Sequence, residues 1–432
     1  MKNFFFSFLM FASAWGVVLP ATAYDFEHNG IYYNVNADGV TVSVTYAPGY
    51  SSYSGSVSVP RSIVYGGESY RVTAVGSNAF FGCEDLVSLT LPEGIVLIDD
   101  YGVYSCGVVS VTLPASVTTI GECAFAHCWY LESIVIPEGV VSIGDDAFAN
   151  TGLTSVTLPE SVRSLGYTVF GHCDDLEAFY GKWASDDHRC LIVNDTLKCF
   201  APAGLTEYAI PDGVVCIDEE AFEETENLTS VTIPGSVVSI ESLAFHMSGL
   251  TSIVIPDGVE FIGSSAFSEC RYVTSITIGS GVKEIEERAF DCGGITGDNS
   301  EMIVTVYARE PIVIEDLYNT PFPYADMWTL YVPAESVELY KAADMWKDFK
   351  EILPIDGSGV DAVAADAIVC RVACDGTLAV EGVAAGMCVE LFDMSGATVR
   401  QVTASGERVE IVLPARGAYL VRVAGNTHKI LF

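Results

Sequence analysis

Basic residues are scarce in this chain. Its 432 residues include 20 lysines and arginines against 57 aspartates and glutamates, so the formal net charge at pH 7 is −37. Nucleic acids and anionic membranes are themselves negatively charged, so this balance argues against binding either of them by simple attraction. We therefore expect no nucleic-acid partner.

The short motifs of the common enzyme classes are also missing. The sequence has no GxSxG nucleophile elbow, no GxGxxG nucleotide loop, no HExxH and no CxxC. Its six histidines are scattered, without a local Ser/His/Asp arrangement. We expect a protein that is not an enzyme, and a hydrolase assembled from distant residues is the catalytic alternative.

Beyond its first residues, the chain lacks an apolar run long enough to cross a bilayer. At the start, Lys2 precedes the apolar run Phe4 to Leu19, which is followed by Ala21-Thr22-Ala23. This order is typical of a cleaved secretory signal, which we predict over residues 1–23; the alternative is a retained membrane anchor. We expect a secreted or cell-surface protein without a membrane-spanning segment after signal removal.

One repeated unit, seen clearly in Leu131 to Gly152, fills the middle of the chain. Leu131, Ile134 and Ile136 form the pattern LxxLxL, and alternation over Ser133 to Ile136 predicts a strand. Pro137 has no N–H to donate and is expected to end that strand. One such unit has a single apolar side, so it must stack on others to bury it.

The unit recurs with a spacing of 22 or 23 residues, apart from one long gap. Its inward pair falls at Ala79-Phe80, Gly102-Val103, Ala124-Phe125, Ala147-Phe148, Val169-Phe170, Ala221-Phe222, Ala244-Phe245, Ala266-Phe267 and Ala289-Phe290. A period of about 20–29 residues with LxxLxL is typical of a leucine-rich-repeat solenoid. The predicted fold is therefore mainly β, with coils of 22–23 residues.

The remaining segments are predicted from composition and pattern. In chain order we predict the signal (1–23), an N-terminal β cap (24–70), the solenoid (71–292) with a hairpin insertion at about 179–204, a degenerate repeat and C-terminal cap (293–355), a linker (356–367) and a small C-terminal β-sandwich (368–432). Within the C-terminal cap, Val337 to Phe349 has helical spacing.

Thirteen cysteines make an odd total. Five of them lie three residues after an inward position, where other coils carry Thr or Ser: Cys83, Cys106, Cys128, Cys173 and Cys270. Small, weakly polar groups suit a buried turn, so we expect structural thiols there. In the insertion, a turn at Asn194-Asp195 would place Cys190 opposite Cys199, and a disulfide between them is a further prediction.

An acidic column and a hydroxyl strip are the candidate surface features. Asp100, Glu122 and Asp145 occupy one position in three successive coils, about 5 Å apart, as either a solvated edge or a weak Ca²⁺ ladder; no other cofactor is expected. The strip consists of Ser88/Thr90, Ser110/Thr112, Ser133/Val135, Ser155/Thr157, Ser230/Thr232, Ser252/Val254 and Ser275/Thr277. It is either a solvated face or a binding surface.

The insertion holds the densest set of residue types that dominate protein interfaces. Tyr180, Trp183 and Arg189 are the predicted binding residues, with Phe179 and His188 beside them. The alternative is that the aromatic rings only pack the hairpin onto the coils.

Several phrases identify a family resemblance. LTSVTLPESV from Leu153, IGDDAF from Ile143 and TLYVPAESVELYKAADMWKDF from Thr329 resemble the BspA-type leucine-rich-repeat proteins of bacterial surfaces, as does DFEHNGIYYNV from Asp25. VELFDMSGATVRQV from Val389, with the segment after Leu413, resembles the C-terminal sorting domains of type IX secretion in Bacteroidetes.

The resemblance implies an extracellular or surface protein, since some members of the family are adhesins for host proteins or other bacteria. The predicted function is recognition of an extracellular protein without catalysis. The alternatives are an extracellular glycan-binding component and an unrecognised hydrolase.

Overall fold

The structure is a computed structural model that describes residues 24–49, 51–292, 302–314 and 320–355, together with seven strands between 369 and 431. It has two compact units, of which the first ends at Ile355 and the second begins at Asp356. The predicted signal (1–23) and the predicted linker (356–367) lie outside the described residues. No described helix is long and apolar enough to span a bilayer.

Six strands begin the first unit. They are β1 (Phe26–His28), β2 (Ile31–Val35), β3 (Thr41–Thr45), β4 (Gly55–Ser58), β5 (Ser62–Tyr65) and β6 (Glu68–Val75). β1, β2 and β3 form an antiparallel meander, and β3 pairs in parallel with β6. The Tyr53 ring lies 4.8 Å from that of Phe80 and covers the apolar end of the first coil. The predicted short hairpins therefore cap the solenoid.

Most coils carry a first strand and a shorter second strand. The first strands are β7 (Leu86–Thr90), β9 (Ser110–Thr112), β12 (Ser155–Leu158), β14 (Ala178–Gly181), β17 (Glu207–Ala209), β19 (Ser230–Thr232), β21 (Ser252–Ile255) and β23 (Ser275–Ile278). The second strands are β8 (Leu97–Ile98), β10 (Thr119–Ile120), β11 (Ser142–Ile143), β13 (Ser164–Leu165), β18 (Cys216–Ile217), β20 (Ser239–Ile240), β22 (Phe261–Ile262) and β24 (Glu284–Ile285). Neighbouring coils pair in parallel, which confirms the predicted solenoid.

The inward phenylalanines stack along the core. The rings of Phe125 and Phe148 are 5.3 Å apart and almost parallel. The column resumes at Phe200, at the end of the insertion hairpin, and continues to Phe322. The sequence pattern missed these two because Cys199 and Pro321 stand where the other pairs have a small residue or valine. Each fully buried ring contributes about 1.5–3 kcal/mol to folding.

Each regular coil also contains two residues with left-handed backbone that are mostly not glycine. In the coil of Phe148 they are Asp146 (φ 52°) and Asn150 (φ 57°). Such conformations are unfavourable by about 1–2 kcal/mol for a residue with a Cβ. Hydrogen bonds between coils hold them, as where Asn150 N donates to Gly171 O at 2.9 Å.

The turn before the second strand alternates between glycine and serine from Gly94 to Ser161 and again at Gly213 and Ser236, and the serine can join two neighbouring coils. Gly94 N donates to Ser116 Oγ in the next coil at 2.9 Å, and Ser116 Oγ donates to Ile95 O at 2.7 Å. Gly213 and Ser236 repeat the arrangement. One serine thereby satisfies two backbone groups of the preceding coil.

The predicted strand in Ser133 to Ile136 is not a regular strand. Its side chains alternate as expected, since Ile136 is buried and Val135 is 80% exposed. Its backbone joins the next coil only at its start, where Thr154 N donates to Glu132 O at 3.3 Å. The first-strand sheet is therefore interrupted between β9 and β12.

The insertion is a hairpin of β15 (Cys190–Val193) and β16 (Thr196–Phe200). Asn194 (φ 50°) and Asp195 (φ 63°) form the predicted two-residue turn. β16 pairs in parallel with β18 and so replaces a second strand of the stack. The predicted start at Phe179 is too early, because Phe179 belongs to β14, which pairs with β12.

The predicted pairing of Cys190 with Cys199 is wrong. A β-bulge between Leu191 and Ile192 shifts the register, so that Cys190 lies opposite Phe200 and Leu191 lies opposite Cys199. Neighbouring strand residues point to opposite faces, so the two thiols lie on opposite faces of the hairpin. Both are free and buried.

Three more parallel strands and short helices end the first unit. They are β25 (Ile303–Val306), β26 (Thr329–Val332) and β27 (Glu351–Pro354), helix α1 (Val337–Ala342), and the 3₁₀ turns Ala325–Met327, Ala334–Ser336 and Trp346–Asp348. The helix is shorter than the predicted segment to Phe349, because Ala343 is extended and Met345 is left-handed. Trp346 is buried and its Nε1 donates to Ile312 O at 2.9 Å.

The second unit contains two antiparallel sheets. One has β28 (Val369–Val372), β29 (Thr377–Glu381) and β32 (Arg408–Val412), and the other has β31 (Thr398–Thr403), β30 (Cys388–Asp393), β33 (Ala418–Val423) and β34 (Asn426–Leu431). Leu378 and Ile411 of the first sheet share a buried cluster with Leu391 and Val421 of the second. The β-sandwich and its sorting role stay predictions.

Candidate functional site

A corner lies between the inward phenylalanine and the first strand of each coil, and these corners form a row along the solenoid. In alternate coils the corner has two residues, at Glu84-Asp85, Trp129-Tyr130, Asp174-Asp175, Glu226-Asn227 and Arg271-Tyr272. In coils between them it is a single glycine, at Gly107, Gly152 and Gly249. We call these residues the corner row. Their alternation accounts for the spacing of 22 and 23 residues.

The short corners require glycine because they press against the backbone of the long corner before them. A Cβ on Gly107 would lie 1.9 Å from the Glu84 carbonyl oxygen. A Cβ on Gly152 would lie 2.6 Å from that of Trp129. The Trp129-Tyr130 corner is therefore longer than the glycine corner on either side.

An exposed apolar patch includes this corner, one residue of the extended segment that follows it in the same coil, and one residue of each of the two preceding coils. We define the patch as Val87, Val109, Trp129, Tyr130 and Val135, with exposed fractions of 47, 50, 57, 65 and 80%. Val109 N donates to Val87 O at 2.9 Å, so these two valines are neighbours across coils. Single exposed apolar residues are common, but several in successive coils indicate a contact surface.

A ladder of rings supports Trp129. The Phe81 and Tyr104 rings stack at 4.9 Å, Tyr104 meets His127 at 5.1 Å, and His127 meets Trp129 at 5.4 Å. Burial lowers the pKa of His127 below its ordinary value, which favours the neutral ring. These contacts restrict the indole, so ordering it on binding requires less loss of entropy.

The predicted hydroxyl strip is largely exposed, and two of its positions, Val135 and Val254, carry exposed apolar groups instead. Ser110, Thr112, Ser155 and Thr157 are exposed on neighbouring coils. Val135 stands between them as an apolar group. The strip therefore borders the patch.

The predicted binding residues of the insertion are mostly engaged within the chain. Trp183 is half-buried and packs against the core, and Lys182 Nζ lies 4.7 Å from its ring. Arg189 Nη1 donates to Ala201 O at 3.2 Å and to Ala203 O at 3.0 Å. Tyr180 is 43% exposed, on β14 rather than on the hairpin.

The calcium ladder, which the sequence left open as an alternative to a solvated edge, stays a prediction, and its carboxylates accept hydrogen bonds from the chain. Asp100 Oδ1 accepts from Glu122 N at 2.9 Å, and Asp145 Oδ1 accepts from Tyr167 N at 2.9 Å. Glu122 Oε1 accepts from Tyr101 Oη at 2.8 Å. These oxygens bind the chain rather than one another. Among the described residues, no three His, Cys, Asp or Glu side chains converge to hold a metal ion.

A cluster of titratable groups spans the insertion. His172 Nε2 lies 3.2 Å from Glu223 Oε2, and His246 Nδ1 lies 2.8 Å from Glu223 Oε1. His172 Nδ1 lies 3.1 Å from Glu224 Oε2 at an angle that makes no hydrogen bond. The charges of His172 and Glu223 offset each other. None of the four side chains of this cluster is a serine, threonine or cysteine nucleophile, so we assign the cluster a structural role.

The cysteine column is structural, as predicted. Cys128 is buried and its thiol donates to Val103 O at 3.1 Å. Thr151 fills the same position in the next coil and donates to Phe148 O at 2.9 Å. Thiol and hydroxyl thus serve the same purpose, which is to satisfy a buried carbonyl in the turn.

Comparison with known families and structures agrees with this architecture. The model of the BspA type leucine-rich-repeat region matches residues 68–177 and 196–299 in six copies. The pneumococcal vaccine antigen PcpA is 18% identical, covers 77% of this chain and 98% of its own, and has a TM-score of 0.55. A leucine-rich-repeat protein from Bacteroides ovatus is 20% identical, with coverages of 77% and 91% and a TM-score of 0.49. No curated protein matches the chain.

Proposed function

We propose that this protein, whose repeat region matches the model of the BspA type leucine-rich-repeat region, binds another protein without catalysing a reaction. The observation that carries the proposal is the apolar patch, which exposes Trp129 and Tyr130 between two glycine corners. Solenoids present extended surfaces of this kind to their partners.

The composition of the patch suits an interface. Tryptophan and tyrosine are enriched among the residues that dominate binding energy, and aliphatic neighbours exclude water around them. The ring ladder from Phe81 to His127 restricts Trp129 before a partner arrives. The exposed strip beside the patch supplies hydroxyl groups for a polar rim.

The setting we propose is the cell surface or the extracellular space, with adhesion to host or bacterial surface proteins as the role. The signal-like run Phe4 to Leu19 supports export. A C-terminal address in residues 368–432 is part of the same proposal. Deleting 361–432 is expected to change where the protein is displayed, and unchanged display would contradict that part.

An extracellular glycan is the second candidate, because an exposed indole offers a flat apolar face. A glycan array probed with the chain and with Trp129→Ser distinguishes the two. Binding to sugars that depends on Trp129 would favour the glycan.

Capture of proteins from host matrix and partner-cell lysates tests the proposal. Wild type is compared with the double variant Trp129→Ser and Tyr130→Ser, and with Tyr272→Ser as control. Tyr272 is 66% exposed on the corner row, away from the patch. We expect the double variant to lose the partner and the control to keep it, with unchanged thermal unfolding. Equal capture of the partner by the wild type, the double variant and the control contradicts the proposal. A further variant, Tyr180→Ser, is included, and loss of the partner with this variant instead would place the site beside the insertion.

A further inference from the structure

The repeats that carry the apolar patch hold one sign of charge only. Residues 72–162 contain no lysine or arginine. Their acidic residues are Glu84, Asp85, Glu93, Asp99, Asp100, Glu122, Glu132, Glu138, Asp145, Asp146 and Glu160. Each ion pair of the described residues lies outside this range. The charge around the patch therefore has no basic counterpart within these coils.

The corner row places this charge in a regular order. Trp129-Tyr130 lies between two acidic corners, Glu84-Asp85 two coils before it and Asp174-Asp175 two coils after it. All four acidic residues of these two corners are exposed. With coils about 4.8 Å apart, each acidic corner lies about 10 Å from the aromatic one. Glu132, which is also exposed, follows the aromatic corner almost directly.

We propose that the partner segment that docks on the apolar patch is a cationic, extended stretch of protein that runs along the corner row. This inference rests on the proposed function and names the chemistry of its partner. Lysine or arginine side chains pair with the two acidic corners, and a central arginine or lysine lies against Trp129 and Tyr130. A guanidinium or ammonium group is attracted to the face of an aromatic ring as well as to carboxylates.

The spacing of the partner follows from the geometry. An extended chain in the polyproline II conformation rises about 3.1 Å per residue with three residues per turn, so side chains three positions apart lie on the same face, about 9–10 Å from one another. The matching pattern is a basic residue, two spacers, a basic residue, two spacers and a third basic residue. Acidic proteins and nucleic acids are repelled by the same field, which gives specificity and faster association at low salt.

Fluorescence anisotropy of labelled peptides tests this on the full chain. The probe is the peptide Lys-Gly-Ser-Arg-Gly-Ser-Lys. One control peptide has the same composition but places its three cationic residues next to one another. A second control peptide carries glutamine in place of each cationic residue. We expect the spaced cationic peptide to bind best and to weaken about tenfold between about 50 and 300 mM salt.

Two charge variants address the acidic corners separately: Glu84→Gln with Asp85→Asn, and Asp174→Asn with Asp175→Asn. Each is expected to weaken the spaced peptide about threefold to tenfold. The control is Asp326→Asn with Glu351→Gln, which removes two exposed charges from the C-terminal cap and should leave binding unchanged.

The outcomes separate the two proposals. If the glutamine peptide binds as tightly, and both peptides still need Trp129 and Tyr130, the cationic partner is excluded while the binding surface stands. If no spaced-peptide binding is seen, or the charge variants equal the control, the inference is overturned as well. If the captured partner and every peptide bind equally well when Trp129 and Tyr130 are replaced, the proposed surface itself is excluded.

Discussion

His172 Nε2 lies 3.2 Å from Glu223 Oε2, although the whole insertion separates the two residues in the chain. The pair lies where the buried core divides into two clusters, one ending with Ala201 and the other beginning with Cys190. Lys198 Nζ and Asp218 Oδ2, 2.6 Å apart, form a second ion pair in the same region. Ion pairs thus reinforce the stack where the regular repeat is broken.

This pair predicts a pH dependence of stability. The Glu223 hydrogen bond raises the pKa of His172 from 6.5 to about 9. Burial alone would raise the pKa of Glu223, but hydrogen bonds from His172 and His246 lower it from 4.5 to about 2. The histidine contribution is complete below pH 6.5 and lost as pH rises through about 9. The glutamate contribution is complete above pH 4.5 and lost as pH falls through about 2.

Thermal unfolding between pH 4 and 9 is the measurement. Burial, with repulsion from Glu223, raises the pKa of Glu220 from 4.5 to about 7, so the Glu220 contribution to stability is complete below pH 4.5 and is lost as pH rises to about 7. We expect the unfolding temperature of the first unit to be highest near pH 4.5–5, where the rise due to Glu223 ends and the losses due to Glu220 and then His172 begin. His172→Gln should lower the free energy of unfolding at that pH by about 1–3 kcal/mol. It should also flatten the dependence of the unfolding temperature on pH. Lys283→Gln, which breaks an exposed pair with Glu260, is the control; an unaltered profile in His172→Gln contradicts the assignment.

Gly107→Ala should destabilise the solenoid by several kcal/mol, because its Cβ would meet the Glu84 carbonyl at 1.9 Å. Gly235→Ala is the matched control, since a Cβ there meets nothing within 4 Å. Urea unfolding of both variants measures the difference. Equal midpoints would show that the short corner does not need glycine.

Cys128→Ser should retain stability within about 1 kcal/mol, because the hydroxyl at this position in the next coil, on Thr151, also donates to a buried carbonyl. Cys128→Val removes the donor and should lower the free energy of unfolding by about 1–3 kcal/mol. Urea denaturation of the two variants tests the role of the thiol column. A valine variant as stable as the serine variant would show that packing alone matters.

Cys190 and Cys199 should both react with an alkylating reagent in unfolded protein that has not been reduced. The bulge after Leu191 keeps the two thiols on opposite faces, so no disulfide can join them. Peptide mass spectrometry reads the label at each position. A linked 190–199 peptide would show that the register is different.

Trp183→Ala should lower stability by about 2 kcal/mol rather than weaken binding, because its half-buried ring packs against the core. Tyr180→Ala, at a 43% exposed position, should change stability much less. Thermal unfolding of both variants separates packing from recognition. A Trp183→Ala variant that is as stable as the wild type but binds the partner more weakly would show that the binding site includes the insertion.

The repeat and its core could be predicted because they depend on residue type at a fixed period. Phe148 and Pro137 are examples: a large aromatic ring and a residue without an N–H recur at these positions in most coils. Both properties follow directly from the residue type. The N-terminal cap and the Asn194-Asp195 turn were predictable for the same reason, since turn chemistry is local.

The features that were missed depend on contacts between coils. The bulge after Leu191 shifts the register of the hairpin, so that Cys190 and Cys199 are no longer opposite each other. Left-handed backbone at Asp146 is held by the next coil, where Tyr167 O accepts from Asp146 N at 3.0 Å and Thr168 Oγ1 donates to Asp146 Oδ1. Trp129 and Tyr130 had a signal, a two-residue corner between single glycines, but its meaning required knowing which backbone pressed on Gly152.

The alternation of long and short corners has a consequence for how such a chain can grow. Glu84, Trp129 and Asp174 lie 45 positions apart, so the unit that truly repeats is two coils. Duplicating a single coil would set two long corners side by side, with no glycine to receive the carbonyl of the first. Gene duplications that survive should therefore add or remove coils in pairs, and the insertion between β14 and β17 keeps that count by standing in for one short-cornered coil.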